Sequence, residues 1–212
     1  HPSIVTWVPI NESWGVQHLA ERPEQRALSR ALADLTRAID PSRPVISNDG
    51  WEHTYSDMIS IHDYDADDLA VTLRYAEADG IDALLAGLGP AGRRMTVQGA
   101  VDHDLPVMVT EFGGIRYVPD GASGSKAASR ASGSDEADDS TWGYTTADGP
   151  ADFEARLRRA FGAIQASPHL AGFCYTQLTD TMQEANGLTD AHRRPKIDAE
   201  VIREIVRAPV TS

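Results

Sequence analysis

The chain has 212 residues, of which 41% are apolar and 24% charged, the composition of an ordinary globular chain of one sizeable or two small domains. Its net charge of −13 argues against a nucleic-acid partner and an anionic membrane surface, and no apolar stretch reaches the roughly 18 residues of a membrane span. Because the chain begins at His1-Pro2 without an initiator Met or a signal-like segment, we expect an unnatural start, and its cellular location stays open with a lean towards the cytoplasm.

Short apolar runs alternate with segments of helical period along the chain. The predicted strands are Ile4–Ile10, Pro44–Ser47, Met58–His62, Pro106–Thr110 and Ala171–Thr176. The first helix is predicted in PEQRALSRALADLTRAID, with one apolar face formed by Leu28, Leu32, Leu35 and Ile39. The link from the second to the third strand, NDGWEHTYSD, is short and rich in turn formers, so a helix there is predicted to be missing or reduced.

Three further helical segments follow in chain order. DADDLAVTLRYAEADGIDALLAG begins with acidic residues, as a helix N-terminus prefers. ADFEARLRRAFGAIQAS carries one apolar stripe, and Asp198–Val206 carries another; the stripe residues are Phe153, Leu157, Phe161 and Ile164, then Val201, Ile202 and Ile205. Apolar strands alternating with helices predict an α/β fold with a parallel sheet, either open and doubly wound or closed into a barrel.

Two other features stand out in the composition. Residues 121–140, GASGSKAASRASGSDEADDS, contain almost no large apolar side chain and are predicted to be a flexible insert. The alternative is a lid over a site, which Trp142 and Tyr144 at its far end favour. The single cysteine, Cys174, lies in an apolar run and is predicted to fill the core.

Polar and aromatic side chains follow every predicted strand, where parallel α/β folds bind ligands and barrels carry active sites. They are Asn11-Glu12, Asn48-Asp49 with Trp51, His62-Asp63-Tyr64, Glu111, and Gln177 with Asp180. Taken alone, Glu12 could cap a helix in water. Glu12 and Glu111 each follow an apolar strand, and two carboxylates that flank one bond can divide the work of glycoside hydrolysis, one as acid/base and one as nucleophile.

Three segments resemble glycoside hydrolase family 2. HPSIVTWVPINESWG resembles the acid/base segment, where an Asn-Glu pair ends the fourth barrel strand, and PVMVTEFGG resembles the nucleophile segment ending the seventh. AGFCYTQLTDTMQEANGLTDAHRRPK resembles the eighth strand and the Arg-Pro-Lys stretch after it. The resemblance implies that residues 1–212 are one partial domain, strands four to eight of a (β/α)8 TIM barrel. The first three strands and the family's preceding β-sandwich domains are then missing partners.

The resemblance also implies roles for individual residues in a retaining β-glycosidase. Glu12 would be the acid/base, protonated at rest, and Glu111 the ionised nucleophile, with Tyr64 hydrogen-bonded to it. Asn11 would donate to the sugar 2-hydroxyl, and Tyr175 stands where many relatives carry a tryptophan beneath the sugar. The remaining candidate substrate-binding residues are Trp14, Trp51, His62 and Gln177, with core packing the alternative for any single aromatic.

The substrate and partners are predicted only in outline. The β-glucuronidase branch holds its substrate carboxylate with an Asn-x-Lys, whereas the matching stretch here, Gln183 to Gly187, has no lysine, which argues against a glucuronide. A galactoside, glucoside or mannoside stays open in this β-galactosidase-like chain. We expect a carbohydrate substrate, no cofactor and no metal, and self-association into a homo-oligomer stays open.

Two alternatives belong to other functional classes. A metal-dependent barrel hydrolase would use His53, His62, Asp63 and His103, but the sequence offers neither a His-x-His at a strand end nor a His-Glu-x-x-His helix. A non-catalytic carbohydrate-binding or scaffold fragment would keep the two glutamates in an incomplete site.

Overall fold

The computed structural model describes residues 1–97, 104–119 and 141–208. The predicted insert at 121–140 and His103 lie outside the described residues. In chain order the elements are α1 (Pro23–Ile39), β1 (Ile59–Asp63), α2 (Asp68–Tyr75), α3 (Ala78–Ala86), β2 (Val107–Gly113), β3 (Ile115–Arg116), β4 (Thr145–Thr146), α4 (Pro150–Gln165), β5 (Gly172–Thr176) and α5 (Ala199–Arg207). As predicted, residues 41–58 contain no helix.

The helices begin where the sequence supplies start signals. Pro23 stands in the first turn of α1, where a missing N–H costs nothing. The side chain of Asp67 caps α2 by accepting from the N–H groups of Leu69 and Ala70. The single helix predicted after the third strand is wrong in one respect, because it breaks at Ala76-Glu77 into α2 and α3.

Three strands form the main sheet, in the order β1-β2-β5, and both pairings are parallel. The third, fourth and fifth predicted strands are thereby confirmed. β2 runs three residues further than predicted, so that Glu111 lies within the strand rather than after it. Two-residue strands β3 and β4 pair beside it in a second parallel sheet.

The first two predicted strands do not form regular strands. Trp7 and Val45 form an isolated parallel bridge, in which Trp7 N–H donates to the Pro44 carbonyl at 3.0 Å and Ile46 N–H donates to the Trp7 carbonyl at 2.9 Å. Pro9 cannot donate to a ladder, and no described segment pairs with the other side of residues 4–10. An edge without a second neighbour leaves Val5 63% exposed.

The apolar face predicted for α1 is a second correction. Leu28, Leu35 and Ile39 are 49%, 56% and 76% exposed, whereas the buried residues of α1 are Ser29 and Ala33. The Ser29 hydroxyl bonds to the Thr54 hydroxyl at 2.8 Å, so the small-residue side of α1 packs on the chain. Three of the four stripe residues, Leu28, Leu35 and Ile39, therefore face solvent in the described part of the molecule, and Leu32 is partly buried.

The hydrophobic residues divide into two clusters. The larger one lies between the main sheet and α2–α5, and it buries the predicted stripe of α4 at Phe153, Leu157, Phe161 and Ile164 together with Ile205 of α5. The smaller one joins Ile10, Val16, Leu19 and Val97, with Leu32 of α1 packed against it. Cys174 is exposed rather than in the core, because it lies on the face of β5 that carries no helix.

A bulge in β2 sets the direction of its side chains. Against β1 the register passes from Ile61–Val109 to His62–Glu111, so Thr110 is an extra residue. An extra residue lets two neighbours face the same side of a sheet. Thr110 and Glu111 both turn to the face without helices, and Phe112 returns to the core.

The described chain is thus a mixed α/β fold built on parallel strands, with helices on one face of its main sheet. None of the helices in the described ranges combines the length and hydropathy needed to cross a membrane.

Candidate active site

Two glutamates from distant parts of the chain meet at the C-terminal edge of the parallel strands. Glu111 lies in the bulge of β2. Glu12 follows the parallel bridge between Asn11 and Asp49, and its N–H donates to the Asp49 carbonyl at 3.1 Å. One carboxylate oxygen of Glu12 lies within 4.8 Å of one of Glu111. Two carboxylates at this spacing are close enough to act on the same bond.

His62 of β1 stands between these carboxylates. Its Nδ1 lies 2.8 Å from Oε1 of Glu12 and 3.4 Å from Oε2 of Glu111. On the other side of the ring, Nε2 lies 3.4 Å from Oδ1 of Asp49 without a well-formed hydrogen bond. Thr110 fixes Asp49 by donating its hydroxyl to the same Oδ1 at 2.7 Å. A single buried imidazole therefore faces three carboxylates.

These contacts decide the charge of His62. Burial by itself lowers the pKa of His62, but the contacts with Asp49 and Glu12 and the charge of Glu111 raise it to about 9. The pKa of Asp49 is lowered because its interaction with His62 and its hydrogen-bond donors outweigh its desolvation. Near neutral pH, His62 is an imidazolium that balances part of the negative charge of the site.

Tyr64 holds Glu111 by the same carboxylate oxygen that His62 faces. The Tyr64 hydroxyl donates to Oε2 of Glu111 at 2.5 Å, as the resemblance implied. Burial raises the pKa of Glu111, and the charge of His62 and the Tyr64 hydrogen bond oppose that rise. Burial and the neighbouring carboxylate also raise the pKa of Tyr64, which keeps this hydroxyl a donor.

A cleft of about 440 Å³ opens over these groups. Its lining residues are Glu12, Trp51, His62, Tyr64, Asp65, Pro90, Ala91 and Tyr144. Trp51 meets the edge of the His62 ring at 5.7 Å between centroids. The ring of Tyr144 stacks on that of Tyr64, with 3.4 Å between the ring centroids and 4° between the ring planes. The ring of Trp142 meets that of Tyr144 edge to face. Flat rings beside a carboxylate pair suit the apolar faces of a sugar.

Five of the sequence-predicted residues lie outside this lining set: Glu111, whose carboxylate is bonded to Tyr64 of the lining, and Asn11, Trp14, Tyr175 and Gln177. Asn11 and Trp14 are exposed beside Glu12, and Trp14 is 73% exposed. Tyr175 packs its ring on Phe161 and Phe112 of the larger cluster, on the helix side of β5, which differs from the expected position beneath a sugar. Gln177 follows β5, with its side-chain nitrogen buried and without a hydrogen-bond partner in the described structure.

Two groups of the site were not among the candidate residues. Asp49 follows the second predicted strand, and its position directly after Asn48 at that strand end was the available signal. Tyr144 carried a weaker signal, as an aromatic residue at the end of a segment of small and polar residues. Its place in the cleft depends on the pairing of β3 with β4.

The histidine set of the metal-dependent alternative does not assemble in the described residues. Both ring nitrogens of His53 bond to Ser56 and Ser60, and Asp63 pairs with Arg74 and Tyr75. One atom each from Glu12, His62 and Glu111 does lie within 4.8 Å of the others, close enough to share an ion. This group includes neither His53 nor Asp63, so it is not the set that the metal-dependent alternative named.

A further cavity lies between α2 and α4, away from the glutamates. Its charged groups are engaged with one another, since Arg159 pairs with Asp68 and Arg156 with Asp152 of its own helix. Two further lining carboxylates, Asp63 and Asp65, both bind Arg74. We therefore place the candidate site at the glutamate cleft.

Comparison with known proteins shows which solved structures share this fold. No family model and no curated protein sequence matches the chain. Solved structures do match, and the class they define is glycoside hydrolase family 2, which the sequence motifs resemble.

One similar structure is the family 2 β-galacturonidase from Eisenbergiella tayi bound to galacturonate, at 18% identity and a TM-score of 0.57 over 98% of this chain and 34% of that one. Another is the β-D-glucuronidase of Dictyoglomus thermophilum, at 16% identity and a TM-score of 0.58 over 100% and 33%. A third is the Bifidobacterium dentium β-glucuronidase complexed with coumarin-3-O-glucuronide, at 20% identity and a TM-score of 0.56 over 100% of this chain and 32% of that one. The chain spans about a third of the length of these proteins, and the likeness is one of fold.

Proposed function

We propose that this chain carries the catalytic pair of a retaining β-glycosidase. It would supply strands four to eight of a (β/α)8 barrel. The observation that carries the proposal is the approach of Glu12 and Glu111 to within 4.8 Å, at the C-terminal edge of parallel strands. Retaining enzymes place the two carboxyl groups about 5–5.5 Å apart, and inverting enzymes about 6.5–9.5 Å apart to admit a water. The fold likeness to family 2 enzymes supports the same reading.

In the proposed mechanism the two glutamates divide the work. Glu111 attacks the anomeric carbon and forms a glycosyl-enzyme, while Glu12 delivers a proton to the leaving oxygen. Glu12 then takes a proton from the water that hydrolyses the intermediate. Tyr64 donates a hydrogen bond to Oε2 of Glu111 and so orients the nucleophile. The positive charge of His62, which is hydrogen-bonded to Glu12, reduces the repulsion between the two glutamates at close range.

We further propose that the substrate is a neutral pyranoside, although the similar structures are titled as uronidases. Beside the cleft, the carboxylates of Glu12, Glu111 and Asp49 face the single imidazolium of His62. Nearby cations are engaged elsewhere, since Arg93 pairs with Glu52 and Arg74 with Asp63 and Asp65. Lys196, after the last strand, is buried against Asp180 at 2.7 Å. Excess negative charge disfavours a uronate carboxylate.

Turnover of aryl β-glycosides by the full-length protein tests the proposal. Glu111→Gln is expected to abolish turnover of all substrates, whereas Glu12→Gln is expected to spare the first step for a good leaving group and slow deglycosylation. NMR of the first-formed sugar is expected to show retained configuration. Rates near wild type for Glu111→Gln would refute the pair, and no turnover of any sugar would favour the non-catalytic carbohydrate-binding alternative.

The sugar preference needs a separate panel. We expect turnover of at least one of the β-galactoside, β-glucoside and β-mannoside, and little of the β-glucuronide with the same aryl group. A preference for the glucuronide would overturn the neutral-substrate proposal and leave the catalytic pair untouched.

A further inference from the structure

The backbone at Glu12 has an unusual conformation. Glu12 and Ser13 have φ of 53° and 59°, in the left-handed region that residues with a side chain seldom adopt. Two such residues in succession persist only where the surroundings fix them. They turn the chain sharply after the Asn11–Asp49 bridge and carry the Glu12 side chain to His62. Something outside this short segment must hold it.

Asn48 supplies the first part of that restraint. Its Oδ1 accepts the Ser13 N–H at 2.8 Å, and its Nδ2 donates to the Ser13 hydroxyl at 3.0 Å and to the Trp51 carbonyl at 2.6 Å. Asn48 is fully buried and Ser13 is 1% exposed. An amide buried in this way is strongly directional, because any unmade hydrogen bond there is costly.

Glu52 supplies the second part. The Ser13 hydroxyl donates to Oε2 of Glu52 at 2.5 Å, and Arg93 donates to the same oxygen at 2.9 Å. Glu52 is 6% exposed and itself has a φ of 50°. Since Arg93 belongs to the segment that contributes Pro90 and Ala91 to the cleft, the network joins three separate loops.

We propose that Ser13, Asn48 and Glu52 form a latch that positions Glu12 for proton transfer without contacting the substrate. The latch acts through the backbone, because its central residue is the next one after Glu12. Glu111 is held by Tyr64, which does not bond to the latch, and more loosely by His62, which also bonds to Glu12. A loosened latch therefore displaces the acid/base more than the nucleophile, whose hydrogen bond from Tyr64 is kept. This inference rests on the proposed function of the two glutamates.

The test compares leaving groups in the full-length protein. A poor leaving group such as methoxide needs the proton from Glu12, whereas dinitrophenolate departs without it. Displacing a catalytic group by about 1 Å can cost on the order of 100-fold in rate. We expect Asn48→Ala and Ser13→Gly to lower kcat/KM for the methyl glycoside about 10- to 100-fold more than for the dinitrophenyl glycoside. Ser13→Gly removes the hydroxymethyl side chain and suits a left-handed backbone, so it carries the test if Asn48→Ala does not fold.

Ser56→Ala is the matched control. Its buried hydroxyl accepts from Ser47 N–H and contacts His53, in the same segment as Asn48 but without a bond to Ser13. We expect it to leave the ratio of the two kcat/KM values unchanged. Equal losses on both substrates in Ser13→Gly, or no loss, would overturn the latch and make the network purely structural. A Glu12→Gln variant without leaving-group dependence would instead refute the proposed function itself.

Discussion

The imidazolium of His62 ties the stability of the fold to pH. Its pKa is raised from 6.5 to about 9 in the folded chain, against desolvation, by Asp49, Glu12 and Glu111. At about 1.4 kcal/mol for each pH unit, this rise corresponds to about 3 kcal/mol of the free energy of unfolding. A group whose pKa is raised on folding contributes all of that stability below its unfolded pKa. The contribution is therefore complete below about pH 6.5 and is lost as the pH rises through 9.

Urea unfolding between pH 6 and pH 10 measures this contribution. Over the window from 6.5 to 9, the folded chain binds one more proton at His62 than the unfolded chain does, so the free energy of unfolding is expected to fall by about 3 kcal/mol. His62→Gln keeps a polar side chain of similar length that does not titrate, and it is expected to lose this slope. An NMR titration of the His62 ring gives the pKa directly. Equal slopes in wild type and His62→Gln, or a ring pKa near 6.5, would refute the reasoning.

Three other changes have expected outcomes. Gly50→Ala adds a Cβ 2.8 Å from the His62 ring at a φ of +92°, and we expect it to lower the free energy of unfolding by about 1–3 kcal/mol in urea titrations. Tyr64→Phe removes a donor to the ionised form of Glu111, so the pKa of that carboxyl should rise and the acidic limb of the pH–rate profile should move to higher pH. The 212-residue chain by itself should self-associate in size-exclusion chromatography and lack turnover. Leu35→Glu should reduce the association, because Leu35 is an apolar side chain that is 56% exposed. A monodisperse, active wild-type chain would contradict this prediction.

Much of the sheet and part of the site could be predicted from the sequence. Apolar runs located β1, β2 and β5 because strands covered by helices need continuous apolar residues. Polar residues placed after the predicted strands were enough to bring His62 and Tyr64 to one edge, together with Glu12 after the predicted strand Ile4–Ile10. The stripes of α4 and α5 followed from helical period alone.

Features that depend on pairing between strands could not be predicted in the same way. The bulge at Thr110 arises because β2 has one more residue than its neighbours over the same stretch of the sheet. The sequence of β2 alone does not show how many residues the paired strands have there. The side on which Tyr175 lies depends on the register of β5, since a shift of one residue moves a side chain to the other face. For α1 the period identified which side is apolar, but not whether any neighbour covers it.

The chain segments that carry the two glutamates pack against different hydrophobic clusters, and this affects how the cleft can move. Glu111 lies on the strand that the larger cluster buries, whereas Glu12 lies between Ile10 and Val16 of the smaller one. Small clusters open locally at a lower free energy than the central sheet of a domain. Fluctuations of the smaller cluster would therefore separate the carboxylates while the sheet stays folded, so that the chemistry at this edge is sensitive to local opening around Ile10 and Val16.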